Sequence, residues 1–428
     1  MSLFTNSIKG ALRLGQTSRT LSTTGAKWLL GDRPPPPKLL RQTFEKLGTT
    51  YIKLGQFIAS SPSLFPDEYV EEFQHCLDNT PPIPFSTIKK LLIKELNKPP
   101  YQIFSEIDPT PLATASIAQV HAAKLITGED VVIKVQKPGV KNILLTDLNF
   151  LYVSAKLLET IVPKLSMASL ADIVDEIQKG MLEECDFFKE AKNIADFNQF
   201  LKDTGNNDVV APKVYKQASS LRVLTMERFH GVPFTDLDSI KDYVEDPQQV
   251  LITAMNTWFS SLMLSQSFHA DVHAGNMMIL KDGRIGFIDF GIVGRIKPET
   301  WSSVTLFIQS ISDGDYHGMA KSMLGIGITK EKINLDALAK DIEKLYQSVN
   351  TATTMPARQD TIDDKDVNKA MMDLLGIGKR YGIHFPREFA LLLKQILYFD
   401  RYVQLISPDH NIYSDDRLVM LADPTSDY

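Results

Sequence analysis

The chain has 428 residues, 43% hydrophobic and 23% charged, which excludes both a disordered chain and a single small core. Forty-six lysines and arginines against 52 acids leave a formal net charge of −6, which argues against general coating of nucleic acid and leaves local basic patches open. The two cysteines, Cys76 and Cys185, are far apart and in no metal-ligand spacing, which argues against a disulfide scaffold and a structural zinc site and for a reducing compartment.

Residues 1–33 form a basic segment. Lys9, Arg13, Arg19 and Lys27 appear with no acid before Asp32, and Leu3, Phe4, Ile8, Ala11 and Leu12 recur at helical spacing. The pattern suits a helix on an anionic membrane surface, an organelle transit peptide, or a capping helix with solvated lysines. Pro34 to Pro37 then read as a stiff spacer. Residues 38–100 have helical periodicity, broken at Pro81, Pro82 and Pro84, and form a helical extension.

Residues 101–226 read as a small sheet lobe, with strands at 101–107, 116–124, 130–136, 209–214 and 221–227 and long helices at 141–161 and 168–201. Residues 227–428 read as a helical lobe, interrupted by a strand pair at 277–280 and 284–288 joined by Lys281-Asp282-Gly283, with a polar loop at 351–366. The expected class is α+β, a two-lobed fold with an added N-terminal helical extension. No stretch approaches the roughly 18 apolar residues that cross a bilayer; the most apolar, 253–268 and 388–406, read as core helices.

The most informative stretch is Phe268-His269-Ala270-Asp271-Val272-His273-Ala274-Gly275-Asn276, followed by Ile288-Asp289-Phe290-Gly291. H-x-D-x-x-x-x-N matches the catalytic loop of protein-kinase-like enzymes. Asp271 is expected to position the attacking group, and Asn276 and Asp289 to hold magnesium through hard oxygens that help neutralise phosphate charge. His269 and His273 are read as structural supports. Ala270 stands where phosphorylation-activated kinases carry an arginine, so activation-loop control is not expected.

Val131-Val132-Ile133-Lys134 supplies the strand lysine such a site needs for the α- and β-phosphates. Its helical partner is one of Glu183, Glu184 and Glu190, and spacing leaves the choice open. The phosphate loop at Ala113-Thr114-Ala115-Ser116-Ile117-Ala118 contains no glycine. Alanines add Cβ atoms where glycine would admit phosphate and positive φ, so a helical turn or an altered nucleotide preference is expected.

These residues resemble the UbiB/AarF family of atypical kinases over about residues 47–293. The resemblance rests on Lys53-Leu54-Gly55-Gln56, the alanine-rich loop, Glu184-Cys185-Asp186 with Glu190 behind it, and the catalytic loop ending Gly275-Asn276. It implies that the extension folds over the active site, with Lys53 and Gln56 near Glu184 and Asp186 as a regulatory group. It also implies that Glu190 pairs with the strand lysine, that the hinge lies near Met226 and Glu227, and that the cofactors are ATP and magnesium. Val272 and Ala274 replace prolines common in the family's loop.

The function implied is an atypical kinase or ATPase supporting ubiquinone or related isoprenoid-lipid biosynthesis at a membrane surface. Lipid or quinone-pathway intermediates or enzymes are its expected partners, and nucleic acid is not. Membrane-anchored family members carry C-terminal spans; the short acid-containing tail after Ser414 predicts peripheral contact instead. The setting is a bacterial cytoplasm, or the mitochondrial matrix side if the N-terminus is a transit peptide. Two alternatives compete: a small-molecule kinase of the aminoglycoside or choline type, which shares the loop motifs but not Lys53 to Gln56 or the alanine loop, and a nucleotide-binding scaffold without turnover.

Overall fold

A computed structural model describes residues 34–59, 67–73, 82–161, 170–273, 275–329, 332–353, 373–378 and 380–407, with a few isolated positions besides. Nearly all of the basic segment 1–33, Cys76, and residues 354–366 of the polar loop lie outside the described residues. The chain divides into two compact units. One holds the described residues up to Lys192 together with Lys213–Arg228; the other holds Asn193–Pro212 and the described residues from Phe229 onward.

The first unit begins with helices α1 (Pro36–Leu47), α2 (Thr49–Ala59), α3 (Asp67–Phe73) and α4 (Phe85–Leu96). Phe44 on α1 packs edge-on against Phe73 and Tyr51, with ring centroids 5.0 and 5.5 Å apart. This aromatic contact and the 2.7 Å Arg41–Glu72 ion pair join the first three helices. An antiparallel sheet follows, in the order β1 (Phe104–Thr114), β2 (Ala118–Leu125), β3 (Asp130–Gln136), β5 (Val223–Glu227).

The strand β3 sequence is β-branched and alternating, as a half-buried strand requires. Val131, Ile133 and Val135 point into a core with Ile88, Leu91 and Leu92 of α4, which leaves Val132 and Lys134 on the opposite face. Strand β1 runs on through Pro109 and Pro111, beyond the strand expected over 101–107. It is an edge strand with register shifts, where prolines that cannot donate are tolerated.

Helices α5 (Val140–Ile161) and α6 (Leu170–Glu184) pack on each other and on α2. The single helix expected over 168–201 is two, α6 and α7 (Phe187–Asp203). The break is made locally: Asp186 Oδ1 accepts the Phe188 N–H at 3.0 Å, capping α7. Gln136 Nε2 donates to the Cys185 carbonyl at 2.9 Å.

The second unit contains a small sheet ordered β4 (Val209–Val210), β9 (Ile285–Phe287), β8 (Met277–Leu280), β6 (Gly231–Pro233), and a pair β7 (Ser267–His269) with β10 (Val293–Arg295). The strand expected over 209–214 is only two residues long, ending before Pro212, which has no N–H to continue the ladder. Gly294 is needed in the β7–β10 pair, because a Cβ there would lie 2.2 Å from the Phe268 ring.

Its helices include α8 (Leu237–Ile240), α9 (Pro247–Ser265), α10 (Pro298–Asp313), α11 (Tyr316–Ile326), α12 (Leu335–Thr353) and α13 (Arg387–Ile406). Residues 351–353, expected in a loop, end α12. Trp258 on α9 meets Phe268 edge-on and packs on Phe399 of α13, which fixes both helices around strand β7. Among the described residues, no helix is long and apolar enough to cross a membrane.

Candidate active site

In the first unit Lys134 meets Glu190 rather than Glu183 or Glu184. Its Nζ lies 2.8 and 3.1 Å from the two carboxylate oxygens, with Glu190 only 4% exposed. The Phe187 ring lies 5.7 Å beneath the ammonium. Two residues along the strand, Gln136 holds the Cys185 carbonyl, so strand β3 grips the α6–α7 junction on the side that carries Glu190. Strand register aligns Val120, Lys134 and Leu224 in one row, and Ala122, Val132 and Met226 in the next. These alternate residues share one sheet face.

Of the two expected outcomes, a helical turn or an altered nucleotide preference, the helical turn is not formed: the alanine-rich loop is a bend between β1 and β2. The Ala115 N–H donates to the Ala118 carbonyl at 2.9 Å, and the Ile117 carbonyl accepts from the Lys137 N–H at 2.7 Å. No residue from Ala113 to Ala118 takes a positive φ, so the loop needs no glycine for its backbone. Ala113 and Ala115 are exposed, Thr114 half-buried, and Ile117 and Ala118 buried. The Ser116 hydroxyl is fully buried and has no hydrogen-bond partner among the described residues. Met226 is buried at the end of β5; Glu227 beside it donates its N–H to the Lys213 carbonyl and accepts the Lys213 N–H.

Lys53 on α2 forms a 2.7 Å ion pair with Glu184 at the end of α6, each side chain 20% exposed. Gln56 lies one turn further along α2, half-buried. Asp186 serves as the cap of α7. Burial, with the Glu184 charge beside it, pushes the Cys185 thiol up to about 11. The thiol therefore stays protonated and unreactive near neutral pH.

In the second unit Asn276 is buried and its Nδ2 donates to the Asp271 carbonyl at 2.9 Å and to Asp271 Oδ2 at 3.2 Å. This leaves Asn276 Oδ1 for another partner. The Ile288 N–H donates to the Asn276 carbonyl at 2.9 Å, bringing the segment that carries Asp289 beside the loop. Asp289 has φ +58°, a left-handed conformation that a short polar side chain tolerates. Its Oδ1 accepts the Gly291 N–H at 3.2 Å.

His269 is buried, and burial pushes it below the ordinary histidine range. Its Nδ1 accepts the Asp271 N–H at 3.2 Å, which makes Nε2 the donor to the Ile288 carbonyl at 3.0 Å. It is a brace linking the two motifs. His273 lies 3.6 Å from Asp271 Oδ2 and its Nδ1 accepts the Gly275 N–H. Ala274 lies outside the described residues.

Helix α13 supplies residues that sequence reasoning missed. Gln395 Oε1 accepts the Val272 N–H at 2.8 Å, and Tyr402 Oη donates to the Val272 carbonyl at 2.8 Å. Lys394 Nζ lies 3.9 Å from Asp271 Oδ1. Gln395 is fully buried, a placement that local sequence pattern does not signal.

The donor set fits the expected groups. Asn276 Oδ1 and the Asp289 carboxylate are hard oxygen ligands suited to magnesium, which binds through few side chains and completes its shell with phosphate and water. A half-buried lysine held by a buried glutamate suits phosphate oxygens.

The ABC1 atypical kinase-like domain family matches residues 75–323. An uncharacterised aarF-domain-containing protein kinase of Arabidopsis thaliana, described as chloroplastic, is 47% identical over 96% of this chain and 82% of its own. A probable protein kinase UbiB of Pseudomonas fluorescens is 28% identical over 88% of this chain and 69% of its own. Among solved structures, a Mycobacterium tuberculosis protein in complex with erythromycin shares the fold at a TM-score of 0.50 and 24% identity, covering 79% of this chain and 90% of that one. The fold is thus α+β and kinase-like, and the chain belongs to the ABC1 atypical kinase-like family that includes the aarF and UbiB proteins.

Proposed function

We propose that this atypical kinase binds magnesium-ATP and transfers its terminal phosphoryl group to water or to a small acceptor of isoprenoid-lipid or quinone metabolism at a membrane surface. The observation that carries the reading is the Lys134–Glu190 pair, a strand lysine held at 2.8 Å by a glutamate that is almost wholly buried. A buried pair of this kind is costly to desolvate and is weak evidence for stability alone, which favours a role in binding phosphate.

Magnesium-ATP, when bound, supplies the phosphoryl group and a metal that neutralises developing charge. Lys134 supplies positive charge for phosphate oxygens, and Asn276 and Asp289 would hold the metal. Asp271 orients the attacking hydroxyl or water and takes its proton, while its Oδ2 is steadied by Asn276. Val120, Ala122, Val132 and Met226, on the sheet face of Lys134, offer an apolar floor for a base. Met226 and Glu227 would take the hinge role, and the 113–118 bend the phosphate-loop role. Lys53, Gln56, Glu184 and Asp186 make up the regulatory group, with the Lys53–Glu184 pair holding the extension in place.

The lipid pathway rests on the family resemblance and on relatives named UbiB. Membrane contact and any organelle address are assigned to residues 1–33, and the chloroplastic description of the Arabidopsis relative supports an organelle address.

The test is magnesium-dependent ATP hydrolysis by the purified chain with and without anionic liposomes, using Asp289→Asn as the blank. Turnover that liposomes stimulate and the substitution abolishes is the expected result. Tight nucleotide binding without turnover in either condition would replace the enzyme with a scaffold. Unchanged magnesium-dependent binding in Asp289→Asn would remove the metal from that residue.

A further inference from the structure

We propose that Lys394, on helix α13 and about 120 residues after the catalytic loop in sequence, is a further catalytic residue that holds charge on the phosphoryl group in transit. The inference rests on the kinase reading above and adds a group that no loop motif contains.

The catalytic loop from Asp271 to Asn276 has no lysine or arginine. Phosphoryl transfer spreads negative charge over the equatorial oxygens, so catalysis depends on cations placed where that charge develops. Lys134 already faces the Glu190 carboxylate. Lys394 brings an ammonium to the aspartate itself.

The geometry distinguishes Lys394 from an ordinary ion-pair partner. Asp271 Oδ2 is met by Asn276 Nδ2 at 3.2 Å and by His273 Nε2 at 3.6 Å, whereas Lys394 approaches the other oxygen, Oδ1, at 3.9 Å. Charge-assisted N–H···O bonds close to about 2.7–2.9 Å, so this ammonium is near the carboxylate without being locked to it. It also lies 5.5 Å from the centre of the Tyr398 ring, one turn along α13. Its side chain is 20% exposed, partly withdrawn from water, where a charge acts more strongly.

The backbone beneath it is fixed. Gln395, the next residue, is fully buried and bonded to the Val272 N–H, and Tyr402 is bonded to the Val272 carbonyl. Helix α13 is thereby tied to the residue that follows Asp271, so the lysine and the aspartate keep a set spacing. Such preorganisation is what makes a charge useful in a transition state.

With water as acceptor, its oxygen forms the new bond to the terminal phosphorus as the bond from that phosphorus to the ADP oxygen breaks. The electron pair leaves on ADP and the water proton passes to the Asp271 carboxylate. Lys394 forms no covalent bond and loses no proton; it neutralises the equatorial oxygens throughout.

The experiment compares binding of MgADP alone with MgADP plus aluminium fluoride, which mimics the phosphoryl group in flight, for the full chain and for Lys394→Met, Lys394→Gln and Lys394→Arg. Thermal unfolding of each variant reports folding. The full chain is expected to bind tighter with fluoride. The two neutral variants are expected to bind MgADP within about twofold of the full chain and to lose about tenfold or more of the fluoride gain, with turnover down by about 10²-fold and KM little changed. Lys394→Arg, which keeps the charge, is expected to recover part of the gain.

Folded neutral variants that retain the whole fluoride gain would overturn the role of Lys394. Loss of MgADP binding and fluoride gain together in those variants would also overturn it, since the residue would then support the ground state. No MgADP binding by the unsubstituted chain would instead overturn the kinase reading, a result visible before any variant is made.

Discussion

Tyr402 donates its hydroxyl hydrogen to the carbonyl of Val272 at 2.8 Å, across 130 residues of sequence, while Gln395 accepts the N–H of the same residue at 2.8 Å. Both main-chain groups of the residue after Asp271 are therefore satisfied by side chains of helix α13. Val272 stands where the family's loop commonly has proline, which restricts φ and has no N–H. The buried valine N–H creates a need that Gln395 meets, and the helix supplies the rigidity that the ring would have given.

Gln395→Leu is expected to leave that N–H buried and unpaired, at a cost of about 1–3 kcal/mol, and Tyr402→Phe to cost about 0.5–1.5 kcal/mol. Urea unfolding measures both. Turnover should fall further in Gln395→Leu than in Tyr402→Phe, because the amide cannot reach water. Equal stability in Gln395→Leu and the unsubstituted chain would mean that the loop finds another partner for Val272.

Glu190 is expected to matter through Lys134. Glu190→Gln keeps the shape and a hydrogen-bond acceptor but removes the charge that orients the ammonium, so turnover should fall by about 10–100-fold with a smaller loss of MgADP affinity. Glu190→Ala removes the carboxylate from a half-buried lysine and should also lower stability, by about 3–5 kcal/mol for a fully buried pair and less here. Calorimetric binding and hydrolysis assays read the two effects separately. Full turnover in Glu190→Gln would show that Lys134 needs no glutamate to hold it.

What the sequence made legible follows the range of each interaction. Asp271, Asn276 and Asp289 stand in short motifs around one hairpin, and Lys134 ends an apolar strand run, so local pattern was enough to nominate all four. The partner of Lys134 was not local: three helical glutamates stood open, and only the family's spacing favoured Glu190. Apolar periodicity ran unbroken through 168–201, hiding the helix break that an aspartate cap creates at Asp186. Lys394, Gln395 and Tyr402 act across more than 120 residues, and within α13 a lysine and a glutamine look like ordinary helix composition. Edge position explains β1: the expected strand stops at Ile107, but an edge strand has no outer neighbour to which Pro109 and Pro111 must donate.

The Lys53–Glu184 pair tests whether helix α2 of the extension is tied to the end of α6 by charge. With 2.7 Å separation and both side chains 20% exposed, a double-mutant cycle of Lys53→Met and Glu184→Gln should give a coupling of about 1 kcal/mol, above most surface pairs. Asp186→Ala should cost about 1 kcal/mol through the lost cap of α7. Additive effects of Lys53→Met and Glu184→Gln in urea unfolding would show that α2 is held by packing alone.

His269 sets the acid side of stability. Desolvation is the largest influence on its imidazole and lowers its proton affinity, outweighing the opposing pull of Asp271, the Ile288 carbonyl and Asp289. The unfolded chain binds a proton on this residue near the ordinary value of about 6.5, whereas the native protein does so only at lower pH. Between those two values the unfolded state holds more protons, so stability rises with pH there; the contribution is complete above the unfolded value and is lost progressively as pH falls toward the native one. The urea midpoint should therefore be steady above about pH 7 and fall below about pH 6.5. His269→Gln keeps an N–H for the Ile288 carbonyl but has no titrating ring, so its profile over that window should be flatter than that of the unsubstituted chain. Parallel profiles would mean that other groups carry the acid sensitivity and that His269 is solvated more than its 2% exposure implies.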